Sequence, residues 1–134
     1  MYAAGEAHEL REPSARIVRL VRDGQLDAVI SAEVIQEIFH RFVAIRRTEI
    51  GSRMARDALD MFAPVLPITH GVMDRMPALV DQYPALAARD LVHVATCIEN
   101  GIGLIVSPDR GLDAVGEVTR VPIEDVETYV ARYQ

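Results

Sequence analysis

Short runs that are apolar at every position, separated by stretches of helical periodicity, constrain this chain more than any other feature. Ala28-Val29-Ile30 and Gly103-Leu104-Ile105-Val106 are such runs. Each is too short for a helix, and neither alternates with polar residues, so each reads as a strand buried on both faces. Pro64 to Ile68 reads as a further strand, short or at an edge because of its two prolines, and Val118 to Val121 as a last one. Between them lie amphipathic stripes: Ile17, Val18, Leu20 and Val21; then Val34, Ile35, Ile38, Phe39 and Phe42; then Ile50, Met54, Leu59 and Phe62; then Leu91, Val94, Ala95 and Ile98. Strands alternating with helices predict an α/β fold with a mostly parallel sheet covered by helices on both faces. The chain shows no repeat, low-complexity tract or linker, and 134 residues suit one domain over 1–134.

The punctuation agrees with that division. Glu12-Pro13-Ser14 opens the first helix, with proline in its first turn, and Asp23-Gly24 ends it. Ser31 is placed to cap the next helix. A turn at Arg47-Thr48 leads to the third. Thr69 caps a short helix through Met76, Pro77 restarts it, and Tyr83-Pro84 breaks the chain again. A helix from about Ala87 to Asn100 ends with Gly101 as its C′ residue. Ser107-Pro108-Asp109-Arg110-Gly111 is a turn, and Ile123 to Tyr129 a terminal helix.

Half of the residues are apolar and only 5% aromatic, so the core is expected to be Val, Ile, Leu, Ala and Met. No apolar run is long enough to span a bilayer, and no basic-then-apolar signal opens the chain, so a cytoplasmic protein without a membrane role is expected. The single cysteine, Cys97, fits a reducing compartment and reads as a small buried apolar residue. The net charge is −6, and all fourteen basic residues are arginine. That balance argues against general coating of nucleic acid, which needs many phosphate contacts. It leaves room for a nuclease that uses a metal. Arg41, Arg46, Arg47, Arg53 and Arg56 form the one basic concentration, either a phosphate-holding patch or a solvated helix face.

In parallel sheets, ligands gather beyond the carboxyl ends of the strands. Four carboxylates fall in such places. Glu37 lies about two turns into the helix after Ile30, Asp90 opens a long helix, and Asp109 and Asp113 follow the strand ending at Val106. Like charges brought together need a neutralising cation. Hard oxygen donors without a Cys/His set select Mg²⁺ or Mn²⁺ over zinc. Each residue has a plainer reading as well: Glu37 as an ion pair with Arg41, Asp90 as a favourable anion at a helix N-terminus, and Asp109 and Asp113 as turn or cap residues. His93 stands three residues after Asp90 on the same helix face, as a metal ligand or a hydrogen-bonded core or rim histidine.

These segments resemble those of a known family. Ser31-Ala32-Glu33-Val34-Ile35-Gln36-Glu37-Ile38 is similar to the PIN-domain segment bearing the second acidic residue. Ala88-Arg89-Asp90-Leu91-Val92-His93-Val94-Ala95 resembles the helix bearing the third, and Leu104 to Asp113 the strand and turn bearing the fourth. The three occur in the family's order over nearly the whole chain, and the VapC-like toxins are the branch they resemble most. The resemblance implies a three-layer α/β/α sandwich and Mg²⁺- or Mn²⁺-dependent endonucleolytic cleavage of RNA. It implies Glu37, Asp90 and Asp109 as catalytic metal-site carboxylates, with Asp113 as an auxiliary one. Arg89 and the Arg41–Arg56 group become candidates for phosphate contact. An antitoxin protein and a second copy of the chain are the implied partners.

One feature departs from the family. PIN domains open with a strand ending in an aspartate, whereas here Tyr2-Ala3 corresponds to the end of that pattern. The expectation is a PIN-like domain lacking the first strand and its aspartate, with weak metal binding and impaired activity. Glu6, Glu9 and Glu12 lie past that position and do not replace it. The alternative function is a catalytically inactive PIN-like domain that binds an antitoxin or RNA.

Overall fold

The computed structural model of the chain describes residues 11–133. Its elements are α1 (Arg11–Arg22), α2 (Ala32–Ala44), α3 (Thr48–Met61), α4 (His70–Asp74), α5 (Met76–Gln82), α6 (Ala88–Glu99), β1 (Leu104–Val106), β2 (Thr119–Val121) and α7 (Val126–Tyr133). Short 3-10 helices occupy Arg110–Ala114 and Ile123–Asp125. The chain divides into two compact units, one of residues 29–103 and one formed by the segments on either side of it. No helix among the described residues is long and apolar enough to cross a membrane.

In the unit of residues 29–103, α2 packs on α3. Ile38, Phe42 and Ala55 are buried there, with Val34, Ile35, Ile50, Met54 and Ala58 packed around them. Gly51 lets the two helices approach closely: a Cβ at this position would lie 2.7 Å from Phe42 Cβ. Burying Phe42 contributes about 1.5–3 kcal/mol. Phe39 and Leu59, expected to face inward, are 39% and 42% exposed. The seam between the helices is narrower than the apolar stripe in the sequence, because the small residues Gly51 and Ala55 fill it. α4 and α5 pack on α6, burying Val72, Met76 and Leu79 with Leu91, Val92, Val94 and Ala95. Thr69 caps α4 by accepting the Val72 N–H at 3.2 Å, and α5 carries Pro77 in its first turn. Gly101, at φ +67°, closes α6 as expected: its N–H reaches the Ile98 carbonyl, and the Ile102 N–H reaches that of Cys97.

Two expected strands are reduced to one bridge. Ser31 and Leu66 pair in parallel, through Leu66 N–H to the Ile30 carbonyl and Ala32 N–H to the Leu66 carbonyl, both 2.8 Å. Pro64 and Pro67 flank that bridge and have no N–H to extend a ladder. Neither Ala28–Ile30 nor Pro64–Ile68 is therefore a regular strand, although the direction of pairing is the expected one.

In the other unit, β1 and β2 pair in parallel, Leu104 with Thr119 and Val106 with Val121. β1 was expected to be buried, yet Leu104 and Val106 are 40% and 45% exposed. Among the described residues β1 has one hydrogen-bonded neighbour, β2, in a two-stranded sheet. α1 packs on α7 and on the 3-10 turn before it, over buried Ile123 and Val126, with an Arg16–Glu127 ion pair at 2.7 Å. Cys97, expected to be buried, is half-buried, and desolvation pushes its thiol pKa up.

Candidate active site

The carboxylates named from the sequence sit in two settings. In the unit of residues 29–103, Glu37 lies in the second turn of α2, whose seat is fixed by Ile38 and Phe42. Its side chain is 30% exposed, and Oε1 lies 2.8 Å from His93 Nε2. The other ring nitrogen, Nδ1, lies 2.8 Å from Ser31 Oγ. An ionised carboxylate only accepts hydrogen bonds, so Nε2 carries the hydrogen toward Glu37. In the neutral ring, Nδ1 then accepts from the Ser31 hydroxyl. Ser31, 7% exposed, is the N-cap residue of α2 by backbone geometry but makes no side-chain cap. Its hydroxyl is committed to His93. This is not the arrangement of a serine hydrolase, in which the nucleophile meets Nε2 and the acid meets Nδ1. Here the order is reversed and the hydroxyl is buried.

His93 is thus a hydrogen-bonded rim histidine, its side chain 19% exposed. Asp90 lies one turn earlier, half-buried in the first turn of α6, where the helix dipole favours an anion. Arg89 beside it is exposed, as are Arg41, Arg46, Arg47, Arg53 and Arg56. Arg41 lies over the Phe42 ring, 5.8 Å from its centroid.

In the other unit, β1 delivers the chain into the turn at Ser107. Ser107 Oγ accepts the Asp109 N–H at 3.0 Å, and Asp109 Oδ1 accepts the Gly111 N–H at 2.8 Å, capping the 3-10 helix Arg110–Ala114. Asp109 is exposed. Asp113 is held by Arg120 of β2, through Nε at 2.8 Å and Nη2 at 3.2 Å, while Arg120 Nη1 donates to the Ser107 carbonyl at 3.0 Å. One guanidinium therefore ties both ends of the turn that carries Asp109. Its hydrogen bond holds the Asp113 carboxyl below the ordinary carboxylate range, and the same contact raises the pKa of Arg120.

The sequence reading named Ser31 and His93 singly but missed their contact, and it missed Arg120. Ser31 and His93 are 62 residues apart, and nothing local announces that they meet. Arg120 carried a weak signal, as a cation inside a run read as a strand. In kind, the carboxylates are hard oxygen donors that suit Mg²⁺ or Mn²⁺. Among the described residues, however, no three or more His, Cys, Asp or Glu side chains gather as a group able to hold a metal ion.

Residues 2–118 match the PIN domain, which covers the segments bearing Glu37, Asp90, Asp109 and Asp113. The chain belongs to the PIN domain family. The three-layer α/β/α sandwich expected for this PIN chain is the fold of that family, and parallel pairing is what its strands show. VapC ribonuclease Mb1869c of Mycobacterium bovis and ribonuclease VapC13 of Mycobacterium tuberculosis are each 31% identical to it over 121 residues, 90% of this chain and 92% of each relative. Ribonuclease VapC23 of Mycobacterium tuberculosis is 29% identical over 113 residues, 84% of this chain and 88% of the relative. No solved structure gives a significant match. The positions compared above with the family's opening strand, Tyr2 and Ala3, lie outside the described residues, as do Glu6 and Glu9.

Proposed function

We propose that this PIN chain is a Mg²⁺- or Mn²⁺-dependent endoribonuclease, the toxin of a toxin–antitoxin pair. The observation that carries the reading is the match to proteins named VapC ribonucleases over 90% of the chain. Residues 1–134 form one functional domain, working in the cytoplasm as a homodimer with an antitoxin partner.

Glu37, Asp90 and Asp109 are the carboxylates that hold the metal, and Asp113 is auxiliary. Its engagement by Arg120 suits that lesser role. A divalent ion supplies activation of water and neutralisation of charge on the phosphodiester. The chain's own residues supply the rest. Glu37 offers a carboxylate that is 30% exposed. Arg89 and the arginines from Arg41 to Arg56 supply cationic contacts for RNA phosphates. Arg120 keeps the Asp109 turn in place.

Removing a metal-holding carboxylate forfeits several kcal/mol of charge stabilisation, about 100-fold or more in rate. The test is cleavage of RNA with Mn²⁺ by the wild type, Asp90→Asn and Asp109→Asn, each checked for folding. Loss of cleavage in either variant is expected. Undiminished cleavage by both, with the fold intact, overturns the assignment.

A second reading is a PIN-like domain of low or no activity that binds an antitoxin or RNA. One observation favours it: no metal-holding group of three or more side chains forms among the described residues. A folded wild type that cuts no RNA at millimolar Mn²⁺, yet binds RNA or antitoxin, places this reading first.

A further inference from the structure

Ser31, His93 and Glu37 form a chain of two hydrogen bonds whose members lie 56 and 62 residues apart in sequence. We infer that His93 is a positioning residue for Glu37, locked in turn by Ser31, and that the pair presets the Glu37 carboxylate for a divalent cation. The inference rests on the proposed metal-dependent reading and names residues that the reading itself does not need.

A glutamate side chain in a helix has three rotatable bonds, and holding it in one rotamer costs conformational entropy. A cation binding an unrestrained Glu37 meets that cost at the moment of binding. In this fold it is met beforehand. His93 Nε2 engages only Oε1 of Glu37. The imidazole is itself restrained, because Ser31 Oγ sits on Nδ1 and the ring is only 19% exposed. Ser31 cannot drift, since it is buried and its neighbours Ile30 and Ala32 are bonded to Leu66. The restraint therefore runs from the backbone bridge, through a buried hydroxyl and a ring, to one carboxylate oxygen. Partners of this kind, behind a metal-binding carboxylate, are worth about 10- to 100-fold in metal affinity.

An N-cap serine that forgoes its cap is the second observation. Side-chain capping stabilises a helix start, and Ser31 has the extended backbone that would allow it. Its hydroxyl bonds to His93 instead. Replacing it with alanine costs the ring its anchor without removing a cap.

The test is Mn²⁺ affinity, measured by electron paramagnetic resonance of the free ion or by calorimetry, for the wild type, Glu37→Gln, His93→Leu, His93→Gln, His93→Asn and Ser31→Ala. Thermal unfolding is followed in parallel. Glutamine can place an N–H where Nε2 stands, whereas asparagine reaches only the position of Nδ1. The expected order is wild type, then His93→Gln, then His93→Asn, with His93→Leu weakened about 10- to 100-fold and Ser31→Ala less. If His93→Leu fails to fold, the Gln–Asn pair decides: equal or reversed affinities overturn the inference. If Glu37→Gln weakens binding and no His93 or Ser31 variant does, the positioning role alone is wrong. If Glu37→Gln leaves the affinity unchanged, Glu37 holds no metal, and both that part of the proposed function and the inference fall.

Discussion

Gly51→Ala should destabilise the protein, against the direction that helix propensity alone predicts. Gly51 lies inside α3, and exchanging a mid-helix glycine for alanine ordinarily stabilises by about 1 kcal/mol. Here the added methyl would stand 2.7 Å from Phe42 Cβ and 3.4 Å from Cγ. Carbon atoms in contact prefer about 3.5–4.0 Å, so the pair must separate by roughly an ångström. The atom in the way is a Cβ fixed to the α2 backbone, not the free end of a flexible side chain. Relief requires α2 and α3 to move apart at the seam of Ile38, Phe42 and Ala55. Overpacking of this kind costs about 1–3 kcal/mol, and an anchored atom places the cost in the upper half of that range. After the propensity gain, a net loss of about 1–2 kcal/mol remains. Urea unfolding would read it as a midpoint lowered by roughly 0.5–1 M at unchanged slope. A variant that is more stable than the wild type would refute the packing argument. Because α2 carries Glu37, the same shift should also disturb that carboxylate's bond to His93.

Two further outcomes follow from the titrating groups. Asp113 has a depressed pKa through its bond to Arg120, so its stabilising contribution is present above the ordinary aspartate value, about 3.9, and is lost as pH falls through the lower folded value. Acid unfolding of the wild type should be steeper below that pH than that of Asp113→Asn; identical acid limbs would contradict the pairing. Cys97 has its thiol pKa raised by burial, so alkylation at neutral pH should be slow in the native protein and fast after unfolding; equal rates would contradict its burial.

The helices were legible in the sequence because caps and breakers act locally. Thr69, Pro77 and Gly101 each stand where the helix boundaries fall. Periodicity also found the α2–α3 seam, but it overestimated the width of the seam. Phe39 and Leu59 match a stripe that Gly51 and Ala55 had already filled. The strands were less legible, since an apolar run reports a preference for burial and says nothing about whether a partner strand pairs with it. Ala28–Ile30 gave one bridge, and β1 one neighbour among the described residues. For the candidate site, the resemblance supplied the carboxylates, while their partners were invisible. The Ser31–His93–Glu37 chain and the Arg120 clamp are long-range contacts between residues that each have an ordinary local role.

The most direct test of the central claim is cleavage of RNA by the purified chain in Mn²⁺ or Mg²⁺, with and without a chelator. The account predicts endonucleolytic cleavage with the metal, none with the chelator, and none from Asp90→Asn in either. Cleavage that persists in the chelator, or that Asp90→Asn leaves undiminished, would contradict it.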